Sequence, residues 1–199
     1  VAAGFEKDLQ NKGSLPLLPG KIMAALFFEP STRTRLSFET AMMRLGGGVI
    51  SVASAESSSV AKGETVVDTA QTVAQYADVI VMRHPRIGSA KEAADAVSIP
   101  VLNGGDGAGQ HPTQALQDIY TIQKEVGALN DLSISLVGDL KNGRTVHALV
   151  ELLSLFKARL FLVSPALLRM PEEISSRLKA KGLAIIETED MAEAASQSD

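Results

Sequence analysis

Residues 28–35 read Phe-Glu-Pro-Ser-Thr-Arg-Thr-Arg, which places three hydroxyl groups and two arginines in the five positions 31–35. An apolar, strand-like run precedes this segment, and a run with helical apolar spacing follows it, so residues 31–34 are predicted to begin a helix. A helix start presents unpaired N–H groups and partial positive charge. Arginines are disfavoured there by ~0.3–1 kcal/mol unless an anion is bound. The segment therefore predicts an anion site, and a phosphate is the best candidate.

The two arginines of this segment are predicted to have different roles. Arg33 and Arg35 are two positions apart, so they point to nearly opposite faces of a helix. We expect Arg33 to bind the ligand and Arg35 to form an ion pair with Glu39, four residues later. On local grounds an ordinary helix cap with solvated arginines remains the alternative.

Further polar residues follow other strand-like runs. Arg83 comes after the run at 78–82. It is either a solvated charge at the rim of the sheet or a bidentate hydrogen-bond donor directed at an oxyanion. Residues 104–109 contain four glycines, which permit left-handed turns or close approach of the backbone to a ligand. His111 and Gln114 stand at the predicted start of the next helix, where both can face the strand ends. Beside such a loop, His111 is a candidate catalytic residue.

Two more segments are less specific. Residues 137–147 repeat the order strand, glycine loop and basic helix start, and Arg144 lies where an anion would be received. This segment lacks both the G-x-G-x-x-G order and the Lys-Ser/Thr of a P-loop. We expect His147, one turn into that helix, to be a packing residue. Residues 54–64 form a polar loop for which a mobile linker is the simpler interpretation, and residues 65–68 form a capping sequence for the next helix.

Composition limits the classes of function. The 199 residues are 45% hydrophobic and 21% charged, which indicates one large or two small globular domains. Nineteen basic and 23 acidic side chains give a net charge of −4, so no global field attracts nucleic acid or anionic lipid. The absence of cysteine excludes disulfides, thiolate metal sites and cysteine nucleophiles. No apolar run approaches the ~20 residues of a membrane span and no signal pattern opens the chain, so a cytoplasmic protein without membrane partners is predicted.

Alternating elements predict an α/β fold with parallel sheets. Helix-like stretches separate the strand-like runs, which lie at 21–28, 49–52, 78–82, 99–102, 132–137, 159–163 and 183–186. The polar stretch at 125–131 is the predicted boundary between a domain at 1–125 with four strands and a domain at 126–199 whose sheet is only begun. In open α/β sheets ligands bind at the carboxyl ends of strands, which is where the unusual residues of this chain fall.

Taken together, these segments closely resemble the catalytic chain of the aspartate carbamoyltransferase family. The matching motifs follow in order over nearly the whole chain, at residues 28–35, 62–65, 82–85, 111–114 and 138–145. The first motif alone would also fit the sister family of ornithine carbamoyltransferases. The Arg-His-Pro form at 83–85 and the loop at 138–145 favour the aspartate family.

The resemblance implies a carbamoyl-phosphate site that draws on the helix start and on two further strand ends. The residues implied to hold the phosphate are Ser31, Thr32, Arg33 and Thr34. Those implied to polarise the carbamoyl oxygen are Arg83, His111 and Thr34. Gln114 is implied to orient the carbamoyl nitrogen.

The resemblance also implies a homotrimer with shared sites, in which Ser58 and Lys62 reach into the pocket of a neighbouring subunit. Arg144 and Thr145 are implied to receive a carboxylate of aspartate, and neither a metal nor a cofactor is implied. A regulatory subunit and fused pyrimidine-pathway domains remain open as further partners. The family has more of its first helix and continues past Asp199 with another arginine and a glutamine for aspartate. This chain is therefore expected to be a fragment that binds carbamoyl phosphate yet carbamoylates aspartate negligibly.

The implied reaction transfers the carbamoyl group of carbamoyl phosphate to L-aspartate, giving N-carbamoyl-L-aspartate and phosphate in pyrimidine biosynthesis. The amine attacks directly, which agrees with the lack of a recognisable nucleophile and paired base. Fixed donors aimed at the developing oxyanion could supply a few kcal/mol each. The alternatives are an ornithine or other carbamoyltransferase and a non-catalytic trimeric scaffold, in which we would expect losses among the site residues.

Overall fold

The computed structural model describes residues 1–56 and 58–199, which form parallel β-sheets flanked by helices. The strands are β1 (Ile22–Phe27), β2 (Gly48–Val52), β3 (Val79–His84), β4 (Val101–Asp106), β5 (Ser133–Val137), β6 (Arg159–Val163) and β7 (Ala184–Thr188). The α-helices are α1 (Ala2–Lys12), α2 (Thr32–Arg44), α3 (Val66–Val73), α4 (Ser89–Ala96), α5 (Pro112–Val126), α6 (Arg144–Leu153), α7 (Glu172–Ala180) and α8 (Met191–Ser196). Short 3-10 helices lie at Ser59–Lys62 and Ala166–Leu168.

The strands pair in parallel in two sheets. The first sheet has the order β2-β1-β3-β4 and the second the order β5-β6-β7. The predicted α/β fold with parallel sheets, the first of four strands, is thereby confirmed. Parallel neighbours require crossover connections, so the carboxyl ends of the strands in each sheet lie along one edge.

Strand β1 is central to the first sheet and is apolar along its whole length, because helices cover both of its faces. On one face its alternate residues pack with Met42 of α2. On the other face they pack with Ala70 of α3 and Ala93 of α4. This buried strand gives the loop that follows it a fixed starting point.

Strands β3 and β4 continue past the ends that the sequence pattern suggested. Strand β3 continues through Arg83 to His84, and β4 continues through the first glycines to Asp106. The glycines indicated a loop, but β4 continues through Gly104 and Gly105, and its pairing with β3 resumes at Asp106 after an irregular register between Met82 and His84. Arg83 therefore projects from a strand rather than from a loop.

The chain divides into compact units of Val1–Gly107 and Ala108–Asp199. Helix α5 belongs to the second unit because it packs on α6. The functional boundary at residue 125 is a different kind of division and stays a prediction. Within the described residues, no helix has both the length and the apolar character to cross a membrane.

Candidate active site

The first candidate segment begins helix α2, as predicted. Ser31 is the residue before the helix, has an extended backbone and makes no side-chain capping bond. Thr32 and Arg33 are exposed and Thr34 is half-buried. The hydroxyl groups of this helix start are thus placed at its unpaired N–H groups, where an anion is favoured.

Arg35 has the structural role expected for it. Its Nε lies 3.5 Å from Oε1 of Glu39, one turn later in α2. The same Glu39 oxygen accepts a hydrogen bond of 2.7 Å from the Ser51 hydroxyl, at the edge strand β2. The predicted ion pair is confirmed, and it leaves Arg33 as the arginine of this turn that points to solvent.

Arg83 is brought beside the α2 start by the pairing of β1 with β3. The backbone N–H of Phe28 donates to the Arg83 carbonyl at 2.8 Å. Arg83 is only 5% exposed, and its Nη2 donates to Oε1 of Glu29 at 2.6 Å. Its Nη1 donates to the Gly104 carbonyl at 3.2 Å. A solvated rim charge is therefore excluded, because this arginine is buried and oriented from two sides.

The guanidinium keeps donor capacity for a ligand. Among the described residues, its buried Nε has no hydrogen-bond partner. An arginine carries five N–H donors in a rigid plane, so contacts to Glu29 and Gly104 leave further donors. An oxyanion could therefore accept a hydrogen bond from this guanidinium without any movement of the Arg83 side chain.

His84 follows Arg83 and supports the same strand end. Its ring packs edge-on against Phe28 with centroids 5.7 Å apart, and its Nδ1 accepts the Arg86 N–H at 2.9 Å. Burial lowers the pKa of His84 below its ordinary value, and the nearby Arg86 charge lowers it further. The neutral ring is thus favoured near neutral pH and adds no second cation beside Arg83.

The glycine segment has the left-handed backbone expected of it, and it also lies close to a neighbouring strand end; close approach to a ligand stays a prediction. Gly105 and Gly107 have φ values of +118° and +56°, which side chains rarely adopt. The Gly107 N–H donates to the His84 carbonyl at 2.9 Å. A Cβ on Gly107 would lie 2.2 Å from the Pro85 carbonyl oxygen. These glycines therefore allow close backbone contact between the ends of β3 and β4.

Ser58 and Lys62 lie at the short helix that follows β2. The Ser58 hydroxyl donates to the Ala55 carbonyl at 2.8 Å, and Lys62 is exposed at the last position of the turn. Residue 57 of this predicted loop lies outside the described residues. The predicted cap of α3 is confirmed, because the Thr65 side chain accepts the Asp68 N–H at 3.1 Å. The contribution of this loop to a neighbouring subunit stays a prediction.

His111 and Gln114 lie at the start of α5 in the second unit. His111 is 7% exposed, precedes the helix, and its Nδ1 lies 3.4 Å from the Thr113 hydroxyl. Gln114 donates its backbone N–H to the His111 carbonyl and its side-chain Nε2 to Asp118 at 2.9 Å. The two residues are therefore held together as neighbours in one helical turn, as expected.

Arg144 and Thr145 are the first two residues of α6, as predicted. The loop before them is closed by Asp139, whose Oδ1 accepts the Asn142 N–H at 3.0 Å. Hydrogen bonds from Asn142 lower the pKa of Asp139. His147 is buried, and its Nε2 lies 2.9 Å from the Leu140 carbonyl, which confirms it as a packing residue.

Two further properties of the candidate site follow from the described residues. In residues 1–56 and 58–199, no cluster of three or more His, Cys, Asp or Glu side chains could hold a metal ion. Sequence reasoning assigned no role to Glu29, although it lies within the first motif. Its partner is 54 positions away, so only the adjacency of β1 and β3 could identify the pair.

Residues 1–124 match the family described as aspartate/ornithine carbamoyltransferase, carbamoyl-P binding domain. The chain belongs to this carbamoyltransferase family. The aspartate carbamoyltransferase catalytic subunit of Thermococcus kodakarensis is 56% identical over 191 residues, or 96% of this chain and 62% of the relative. The subunit of Methanothrix thermoacetophila is 57% identical over 100% of this chain and 65% of its own length.

Solved carbamoyltransferase structures support the same relationship. Aspartate transcarbamoylase from Trypanosoma cruzi, in complex with carbamoyl phosphate and aspartate, is 44% identical, with a TM-score of 0.93 over 100% of this chain and 68% of that one. The catalytic subunit from M. jannaschii is 51% identical with a TM-score of 0.91, over 100% of this chain and 65% of that one. The resemblance inferred from the motifs is confirmed, and the chain spans less than two thirds of the length of its curated relatives.

Proposed function

We propose that this protein transfers the carbamoyl group of carbamoyl phosphate to the amine of L-aspartate, as part of pyrimidine biosynthesis. The observation that carries the proposal is the buried Arg83 guanidinium beside the α2 start, because the pair offers fixed donors to both a carbamoyl oxygen and a phosphate. Relatives at 56–57% identity that are aspartate carbamoyltransferase catalytic subunits support it.

The proposed site residues divide by the part of the ligand that they bind. The phosphate is held by Ser31, Thr32, Arg33 and Thr34, and the carbamoyl oxygen is polarised by Arg83, His111 and Thr34. Gln114 orients the carbamoyl nitrogen. As the aspartate amine attacks the carbamoyl carbon, the C–N bond forms, negative charge collects on the carbonyl oxygen, and the C–O bond to phosphate breaks. The amine proton passes to phosphate, and donors fixed in advance lower the barrier because they need no reorientation.

The acceptor side of the proposal rests on helix α6. Arg144 and Thr145 receive a carboxylate of aspartate, and residues 126–199 contribute to this aspartate-binding domain, whereas residues 1–125 form the carbamoyl-phosphate domain. The family as a whole includes ornithine enzymes, so ornithine is the competing acceptor. The solved T. cruzi enzyme bound to carbamoyl phosphate and aspartate supports aspartate.

The proposal extends to assembly and location. The protein acts as a cytoplasmic homotrimer in which Ser58 and Lys62 of one subunit complete the carbamoyl-phosphate site of the next. The exposed position of Lys62 supports this arrangement. The relatives are named catalytic subunits, which supports a separate regulatory subunit as a further partner.

Labelled carbamoyl transfer tests the reaction. The protein in its natural length is incubated with [14C]carbamoyl phosphate and either L-aspartate or L-ornithine. We expect labelled N-carbamoyl-L-aspartate and no labelled citrulline. Transfer to ornithine alone would overturn the choice of acceptor, and transfer to neither would support the non-catalytic scaffold.

Subunit mixing tests the shared site. Lys62→Ala chains and Arg33→Ala chains, each impaired alone at a low carbamoyl-phosphate concentration, are mixed under conditions that exchange subunits. Hybrid trimers then contain some sites in which both residues are wild type, so part of the activity should return. If confirmed hybrids remain as impaired as the single variants, Lys62 acts in the site of its own subunit.

A further inference from the structure

Strand β4 contains a bulge opposite Arg83. The paired residues are Met82 with Asn103 and His84 with Asp106. One residue of β3 therefore lies between the two pairs, against two residues of β4. Gly105, within the extra length, has a φ of +118°. Bulges next to active sites commonly re-aim a side chain or a backbone group. Here the bulge directs the Gly104 carbonyl to Nη1 of Arg83 at 3.2 Å.

The orientation of that carbonyl is linked to the Asn103 side chain. The Gly105 N–H donates to Oδ1 of Asn103 at 2.7 Å. This N–H and the Gly104 carbonyl belong to the same peptide unit, and in a trans peptide the two groups point in opposite directions. Fixing the N–H on Asn103 therefore fixes the carbonyl on the other side, toward Arg83.

The Gly104 end of this peptide lies close to strand β3 and is buried. A Cβ on Gly104 would lie 3.3 Å from the Met82 carbonyl oxygen and 3.7 Å from the Arg83 Cβ. Gly104 and Gly105 are both buried, so water cannot readily replace a lost partner of the Gly105 N–H. The Asn103 bond opposes rotation of the peptide, which would turn the Gly104 carbonyl away from Arg83.

We propose that Asn103 is a positioning residue for Arg83, acting through the peptide between Gly104 and Gly105. The inference rests on the proposed function, in which Arg83 polarises the carbamoyl oxygen while residues 31–34 hold the phosphate. Loss of the Asn103 acceptor then impairs recognition of the carbamoyl group and spares recognition of phosphate. Glu29 holds the guanidinium from the other side, so the effect is smaller than removal of Arg83 itself.

Calorimetry with two probes tests this division. Phosphonoacetamide, a stable analogue that carries both the phosphonate and the carbamoyl-like amide, is compared with inorganic phosphate. Asn103→Leu keeps the side-chain size but removes the acceptor, and Asn103→Ser keeps a weaker neutral acceptor for an N–H two residues on. We expect Asn103→Leu to bind phosphonoacetamide about tenfold more weakly with phosphate affinity unchanged, and Asn103→Ser to lie between it and the wild type.

Asn130→Leu is the matched control. Oδ1 of Asn130 also accepts a backbone N–H, from Lys157 at 3.0 Å, but it precedes β5 in the second unit. This variant should lose a similar bond and leave the affinity ratio of the two probes unchanged.

The outcomes distinguish failure of the positioning role of Asn103 from failure of the proposed carbamoyl-phosphate site. An Asn103→Leu chain with wild-type affinity for phosphonoacetamide, or with an equal loss for both probes, overturns the positioning role. If Asn103→Leu does not fold, the same comparison is made with Asn103→Ser, and equal affinity ratios in Asn103→Ser and the wild type overturn it. A wild-type chain that binds neither probe instead refutes the proposed carbamoyl-phosphate site.

Discussion

Helices α2 and α6 both follow a parallel strand and both carry an arginine in the first turn, and each is preceded by a carboxylate. The two carboxylates are used differently. Glu29 is paired across the sheet with Arg83, 54 positions away, whereas Asp139 accepts N–H groups from Lys141 and Asn142 in its own loop.

The start of α2 therefore depends on a contact with another strand, whereas the start of α6 is organised by the loop that precedes it. At α2 the nearest carboxylate is directed away to Arg83, and Ser31 makes no side-chain capping bond, so the positive end of the helix can receive an external anion. At α6 the loop already provides its own anionic group near the helix start. The first region is therefore the better site for an external anion, whereas the loop before α6 is organised mainly by its own residues.

Arg83→Met should have the largest effect, because it removes the buried guanidinium that joins Glu29 to the Gly104 carbonyl. We expect a loss of about 3 kcal/mol in the free energy of unfolding, measured with urea, and no detectable phosphonoacetamide binding. The Glu29→Gln/Arg83→Met double variant should regain part of the stability but none of the binding. Full stability in Arg83→Met would show that the cross-sheet pair does not support this region.

Gly143→Ala should test the local loop before α6. Its Cβ would lie 2.6 Å from the Asp139 carbonyl oxygen, so the loop must shift, at a cost of about 2 kcal/mol in urea unfolding. Phosphonoacetamide affinity should be unchanged. Gly4→Ala in α1 is the control, because its Cβ would meet no atom of the described residues within 4 Å and should slightly stabilise the helix. A loss of ligand affinity in Gly143→Ala would show that the two regions are not independent.

Arg33→Ala should weaken phosphonoacetamide binding by about 1.5 kcal/mol in calorimetry, because one charge-assisted bond is lost. Stability should change little, since Arg33 is exposed. Arg144→Ala makes the same change at the α6 start and should leave this affinity as it is. Equal losses in the two variants would contradict the distinction between the helix starts.

The pH dependence of stability should differ between the two regions. These effects should be smaller than those of the substitutions above. The pKa of His84 lies below its ordinary 6.5 and that of Asp139 below its ordinary 3.8, mainly through burial and Asn142 hydrogen bonds respectively. Each contribution is present above the unfolded pKa and is lost as the pH falls through the lower folded value. Urea midpoints should show that His84→Gln alters the pH dependence beginning near 6.5, and Asp139→Asn only below 3.8. The reverse order would refute these assignments.

Much of this fold could be predicted from local patterns, because each pattern reports short-range physics. The helix start at Ser31, the Thr65 cap and the ion pair of Arg35 with Glu39 all involve residues within four positions of each other. The parallel sheets followed from the alternation of apolar runs with helical ones. The extension of β4 to Asp106 was missed, since its glycines resemble a loop and the pairing of Asp106 with His84 of the neighbouring strand is not visible in the sequence.

The sequence by itself determined the family, the order of elements and the residue types of the site, because these are properties of motifs and of short-range periodicity. Only the tertiary structure decided that Arg83 is buried, that Glu29 is its partner and that the Gly104 carbonyl holds it. Those contacts join positions 21 to 54 residues apart, and they exist because β1, β3 and β4 are neighbours in one sheet. No local pattern contains that adjacency, which arises when the strands bury their apolar faces together.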